Sequence, residues 1–323
     1  DEARAELAKA GDRAPYIEDP LIAFVEALTE GAEKYIDDAR TAAKAGRPDV
    51  ALRFYDLATS IEPDNTAVLV EMGNLQGSTG DLDGALLTFA RVLSQQPDSA
   101  EAAYFVGAIL EQKGEQAEAD RYYARALETR PELVQPRMLL ANSLMRQRQF
   151  DDAAEHYSQV IRQLPEETEV QYLLGLAWLA GGQCELAHQS LLRALKLSEG
   201  DADILVALAR AYSTCPDATA EQRQQALDAA EARYGASPGL DEAETLAMAC
   251  AANGRFEDAV DFQTQAIFEA LKEGDTSRAD WHNANLARYE QQQPAVEPWP
   301  LSDPVYYPRP LAPPAPAASG AGR

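Results

Sequence analysis

Basic residues are scarce in this chain of 323 residues: 28 Lys and Arg stand against 53 Asp and Glu, a formal net charge of −25. That balance argues against a nucleic-acid backbone as partner, because such backbones are held by clustered Lys and Arg. It argues equally against docking on an anionic membrane surface. Long apolar runs are missing too: no stretch approaches the ~18–20 consecutive residues that span a bilayer. Cysteine is limited to Cys184, Cys215 and Cys250, with no CxxC and no His-adjacent zinc spacing. Histidine is limited to His156, His188 and His282. There is no nucleophile elbow, phosphate-cradling glycine loop or metal-ligand spacing. The many carboxylates are dispersed along solvated faces, and no pair stands apart as general acid and base. The expectation is a non-catalytic protein with no cofactor and no metal.

What is present is a folded composition, 46% hydrophobic and 25% charged, arranged in a repeat. Ala51, Ala85, Ala119, Ala153 and Ala187 recur every 34 residues. Four residues after them come Tyr55, Phe89, Tyr123, Tyr157 and Leu191; seven after come Ala58, Val92, Ala126, Val160 and Ala194. Twelve after come Pro63, Pro97, Pro131, Pro165 and, as the break, Glu199. Twelve before come Ala39, Gly73, Gly107, Ala141 and Gly175. Within each period the apolar spacing is helical, and no segment alternates with period two.

These positions resemble the tetratricopeptide repeat, a 34-residue helix–turn–helix unit. The resemblance covers about three quarters of the chain and implies an all-α fold: a right-handed α-solenoid of about seven repeats with helical caps. Five units are regular, at 32–65, 66–99, 100–133, 134–167 and 168–201. A sixth, 202–239, carries an insertion of about five residues in its "STCPDATAEQ" turn, and a seventh runs over 240–273. Small residues such as Gly107 and Ala153 allow close helix crossings, the aromatic fills the wedge between units, and Pro ends each second helix. On this register the outer-face His156 and His188 read as solvated histidines.

The ends read as caps. Residues 1–31 offer a helix with Asp19 as N-cap, Pro20 at its first position and an apolar stripe of Leu21, Phe24, Val25 and Leu28. Residues 274–293 read as a C-terminal capping helix, with Trp281, Ala284, Leu286 and Tyr289 as its packing residues. The tail 294–323 has nine prolines between Pro294 and Pro316, with Trp299, Tyr306 and Tyr307 among them, and favours extended geometry. It reads either as a strand-like segment on the protein's own last helices or as a ligand for another protein, including a homo-oligomer formed through the tail. The "TCPD" turn and the "ANLARYEQQQPAVEPWPLSDP" block also resemble the C-terminal part of many bacterial repeat proteins of this class, without a transferase domain or CxxCH haem motif.

The resemblance implies a ligand groove lined by the first helix of each unit. Carried over residue by residue, it gives Arg40, Val70, Asn74, Tyr104, Met138, Asn142, Met145, Tyr172, Leu176 and Arg210 as a peptide-binding set. The asparagines would clamp a peptide backbone, the Tyr and Met residues would supply contact area, and Arg40 and Arg210 would hold carboxylates. The alternative makes part of this ladder core. Stacked units also place the turns of Cys184 and Cys215 side by side, so a Cys184–Cys215 disulfide is expected in an oxidising compartment. Cys215 with Cys250 is the alternative pairing, and three small apolar fillers the plainer one.

The function expected is a protein–protein interaction scaffold that holds an extended peptide or organises a complex, with a Lys- or Arg-rich partner steered by the charge. The runner-up is an accessory subunit docking by its outer surface or tail onto a membrane, redox or secretion complex. A start at Asp1 suggests a removed targeting peptide and a periplasmic or secreted location, with a cytoplasmic one as the alternative.

Overall fold

The structure is a computed structural model that describes residues 31–274 and 276–308. Among these residues it holds fifteen α-helices, one short 3₁₀ turn and no strand. The chain divides into two units, at residue 131, and each is treated by itself.

Unit 1 contains three helix pairs: α1 (Ala32–Lys44) with α2 (Pro48–Ile61), α3 (Thr66–Ser78) with α4 (Leu82–Gln95), and α5 (Ala100–Gln112) with α6 (Gln116–Thr129). Unit 2 contains four: α7 (Val134–Arg146) with α8 (Phe150–Gln163), α9 (Thr168–Ala180) with α10 (Cys184–Leu197), α11 (Ala202–Thr214) with α12 (Ala220–Ala236), and α13 (Leu240–Ala252) with α14 (Phe256–Glu273). A final helix, α15 (Ala279–Glu290), precedes an extended segment that ends in a 3₁₀ turn at Pro304–Tyr306. The expected cap around Asp19 and Pro20, and the tail beyond residue 308, lie outside the described residues.

The repeat dictates this regularity locally. Every first helix has 13 residues, and the second helices have 14 until α12 and α14, which have 17 and 18. In α4 the buried set is Ala85, Thr88, Phe89 and Val92, one face at helical spacing. Side chains of Asn65, Asp81, Ser99, Asp201 and Thr219 cap helix N-termini, and Thr219 closes a full capping box with Gln222.

The turns inside the pairs share one hydrogen bond. In six of the seven pairs an amide just past the first helix reaches back to a carbonyl five residues earlier, as in Asp81 N–H to Gln76 O, Glu115 N–H to Leu110 O and Gln149 N–H to Leu144 O. This is the Schellman closure, and it needs a residue of positive φ before that amide. Glycine supplies it at Gly46, Gly80, Gly114, Gly182 and Gly254; in the α7–α8 turn Arg148 adopts φ 61° instead. The α11–α12 turn is different: Cys215 is extended there and is disulfide-bonded to Cys184 at the start of α10. Cys250 is free and buried.

The small residues of the first helices do allow close crossings. A Cβ at Gly107 would sit 2.6 Å from the Tyr123 ring, and one at Gly73 would sit 2.8 Å from Phe89. The aromatic of a second helix is therefore seated on the glycine of its own pair. Phe89 also stacks on Phe105 of the following first helix, with ring centroids 5.2 Å apart. Filling the space between pairs is thus only half of the aromatic's role.

Candidate functional site

The first-helix residues singled out from the sequence fall into two groups. In unit 1, Arg40 is half-buried and spent on its own chain: Nε donates to Glu71 Oε2 at 2.9 Å and a terminal nitrogen to Oε1 at 2.6 Å. Glu71 also accepts from Tyr55 Oη at 2.9 Å. The Arg40 hydrogen bonds, opposed by burial and helped by Tyr55, hold Glu71 below the ordinary glutamate value. Arg40 thus answers a neighbour's carboxylate rather than presenting an empty fork. Val70, Asn74 and Tyr104 are partly buried. Asn74 Oδ1 is buried without a hydrogen-bond partner among the described residues. The Tyr104 hydroxyl is pushed up to about 12 by burial, with Glu111 adding to it.

In unit 2 most of the ladder is interior. Met138 is buried, as are Met145 and Leu176. Asn142 is also buried, and its Oδ1 accepts from Tyr157 Oη at 2.6 Å. These four residues pack helix on helix, so no peptide backbone reaches Asn142. They fall on the core side of the two readings because the first helices of this unit bury more of their circumference than one stripe. In α9, for example, Val170, Gln171, Leu173, Leu174, Gly175, Leu176, Ala177 and Leu179 are all buried. Tyr172 stays partly exposed, its hydroxyl raised by burial.

Arg210 is fully buried, and its occupant is the chain itself. Its guanidinium donates to Thr245 Oγ1 at 2.8 Å, to the Asp241 carbonyl at 3.1 Å and to the Pro298 carbonyl at 3.1 Å. It pairs with Glu244 at 2.8 Å, and its carbon lies 4.8 Å from the centre of the Trp299 ring. The Pro-rich segment after α15 therefore runs back across the first helices of unit 2. Arg278 pairs with Asp303 at 3.4 Å, with Glu244 at 3.3 Å and with Asp241 at 3.1 Å. Tyr306 is buried between Phe150 and Trp299, with centroids 5.7 and 6.1 Å away. Further on, Arg146 donates to the Pro308 carbonyl at 3.4 Å. Asp303 accepts from the Val305 amide and so caps the 3₁₀ turn that delivers Tyr306.

The electrostatics of this seat are those of a buried network. Burial alone would raise Glu244, but Arg210, a hydrogen bond from His282 and Arg278 together hold it below its ordinary value. His282 Nδ1 lies 2.8 Å from Glu244 Oε1. Asp303 goes the other way: burial outweighs the Val305 amide and the two arginines and raises it. Beside the seated segment a cleft of about 790 Å³ remains, bordered by Tyr172, Val206, Arg233, Glu242, Trp299 and Val305 among others.

Sequence reasoning missed Glu244, His282, Thr245 and Arg278. The available signal was Glu244 itself, directly before the apolar "TLAMACAA" run, but Asp241 and Glu242 beside it make it read as part of an acidic first turn. In α15 the buried residues are His282, Asn285 and Tyr289; of the expected packing set Ala284 is exposed and Trp281 and Leu286 only partly buried. The helix turns a polar face inward because Glu244 and Gln263 are there to meet it. His188 is likewise buried rather than solvated, its ring 4.7 Å from that of Tyr212. His156 is partly buried near Arg137.

Models of the tetratricopeptide repeat match residues 42–109, 100–133 and 138–202. Over these residues the chain is built of tetratricopeptide repeats. No curated protein matches it. Among solved structures it is similar to a tetratricopeptide repeat protein from Parabacteroides merdae, at 15% identity over 80% of this chain and 98% of that one, TM-score 0.49. It is also similar to MamA from Desulfovibrio magneticus RS-1, at 21% identity over 52% and 95%, TM-score 0.47. A third is YrrB, described as a TPR protein with an unusual peptide-binding site, at 22% identity over 56% and 94%, TM-score 0.47. Among the described residues of this repeat protein no helix is long and apolar enough to cross a membrane.

Proposed function

We propose that this chain is a non-catalytic scaffold that holds extended peptide segments against its first helices and so joins proteins into a complex. The observation that carries this reading is the seat in unit 2, where an extended Pro- and aromatic-rich segment is held by Arg210 and Arg146 of the first helices α11 and α7, with Arg278 before α15 and Phe150 at the start of α8 beside them. The same surface of unit 1 offers Val70, Asn74 and Tyr104, with the buried Asn74 Oδ1 still unpaired among the described residues. A side-chain amide in that state suits a backbone N–H of an incoming peptide. The net charge of −25 favours partners rich in Lys or Arg and makes their arrival salt-sensitive. The Cys184–Cys215 bond supports an oxidising location such as a periplasm or the extracellular space.

The test is binding of the full chain to an array of short peptides of varied sequence, repeated with Asn74→Ala and Tyr104→Ala. Loss of most of the bound set in both variants is expected. An array that binds nothing, or binds all three proteins alike, removes the unit 1 face as a working site.

A further inference from the structure

The segment that crosses unit 2 packs along much of its length, with Ala295 and Pro298 also buried, and three of its buried side chains have a pattern. Trp299, Asp303 and Tyr306 are all buried, while Leu301, Pro304 and Val305 between them are not. Read from the tryptophan, the anchors stand at positions 0, +4 and +7, with the carbonyl at −1 taken by Arg210. Each anchor meets a different chemistry. Trp299 lies against the guanidinium of Arg210, Asp303 meets Arg278, and Tyr306 meets the Phe150 ring.

The polar groups of the receiving surface have helix partners of their own. Thr245, the Asp241 carbonyl and Glu244 hold Arg210 from the helices alone. Arg278 keeps Glu244 and Asp241. Such pre-organisation lowers the cost of binding any segment that carries the anchors. The resident segment also underfills the surface, because the cleft of about 790 Å³ stays open beside Trp299. Its tether is short: Glu290 ends α15, and the backbone turns at Gln292, with φ 58°, before Pro294. A short tether gives the resident a high effective concentration, so a competing segment must bind better or use the cleft.

We infer that this face of unit 2 is a recognition site for a partner protein's extended segment of the pattern Trp-x-x-x-Asp-x-x-Tyr, and that residues 298–308 occupy it as an internal competitor. The inference rests on the reading of first-helix faces as peptide-holding surfaces. Its failure is separable from failure of that reading, because the peptide array with Asn74 and Tyr104 variants interrogates unit 1.

The probe is a fluorescein-labelled peptide copying residues 297–308, titrated by anisotropy against the full chain and its Trp299→Ala variant. The variant should bind at least about tenfold more tightly than the wild type, since its own competitor is crippled. A peptide with its tryptophan replaced by alanine should bind neither. Absence of binding to a variant that still unfolds cooperatively by circular dichroism overturns the proposal, as does equal binding of the two peptides. Should Trp299→Ala not fold, a protease site placed at Gln291–Gln293 and cut after folding gives the same answer. Excess peptide should then replace the cut segment on gel filtration; a cut segment that no excess removes is a structural part and ends the inference. Light scattering separates the remaining occupant: a concentration-dependent dimer abolished by Trp299→Ala would mean that copies exchange this segment, and would overturn the partner assignment.

Discussion

The two units use the same helix pair and differ in what they bury. The best-defined ion pair of unit 1, Arg40 with Glu71, leaves both side chains about a third exposed, at 39% and 30%. In unit 2 the Arg210–Glu244 pair has no exposure at all, and Arg278 and His282 close around it. A half-exposed pair is screened and contributes little. A fully buried one is costly to form and more costly to break, because the surviving charge has no water to return to. The difference teaches where the repeat has been given a second task. Regular pairs hold themselves together by small residues and aromatics, whereas the polar cluster of unit 2 exists where another stretch of chain lies on it.

Fluorescence separates the two units, since Trp178, Trp281 and Trp299 all belong to unit 2. The largest expected effect is Glu244→Gln, which leaves Arg210 and Arg278 short of counter-charge and should destabilise unit 2 by about 3–5 kcal/mol. Glu71→Gln in unit 1 should cost under about 1 kcal/mol. Denaturant titrations followed by tryptophan fluorescence and circular dichroism check both, and equal losses would erase the comparison. Next comes the disulfide. Cys184→Ser should lower the stability of unit 2 by roughly 3–4 kcal/mol on the loop-entropy model, and dithiothreitol should have the same effect on the wild type only.

Gly107→Val should drive a methyl-bearing carbon into Tyr123 and cost about 1–3 kcal/mol. Its transition should move by circular dichroism while tryptophan fluorescence reports unit 2 unchanged. The smallest effect has the opposite sign: Arg148→Gly relieves a left-handed residue and should stabilise unit 2 by up to about 1 kcal/mol.

Acid should act mainly through the same cluster. Glu244 is held below its ordinary value, so the folded chain binds that proton less readily than the unfolded chain. The stability it contributes is complete above the unfolded glutamate value of about 4.3 and is lost as pH falls through the folded one. Asp303 is raised and works in the opposite sense: ionising it costs stability as pH rises through the carboxylate range. The wild type should therefore lose tryptophan-monitored stability below about pH 4 more steeply than Glu244→Gln. Parallel curves would remove Glu244 as the cause.

The period of 34 made the helix pairs legible, because Ala51 and its successors recur at crossings where only small residues fit. The site was legible only in part. Arg210, Tyr172 and the aromatic excess of the tail could each be seen, but not that Trp299 lies on Arg210, 89 residues away along the chain. Position in the repeat carried Asn142 and Leu176 toward a ligand, yet helix packing in unit 2 buries them. His282 was given no role from the sequence because nothing local to it announces Glu244 on the other helix. A repeat motif specifies neighbours within and between pairs; long-range polar contacts made by one irregular segment lie outside its grammar.

Amide hydrogen exchange on the full chain tests the central claim most directly. In the seated segment the Asp303, Tyr306 and Tyr307 amides donate to backbone carbonyls and the Val305 amide to Asp303 Oδ1. The account predicts that these amides exchange slowly in the wild type, and fast in Trp299→Ala while α11 and α13 stay protected. Fast exchange across 298–308 in the wild type would contradict it, since the segment would then not be held on unit 2.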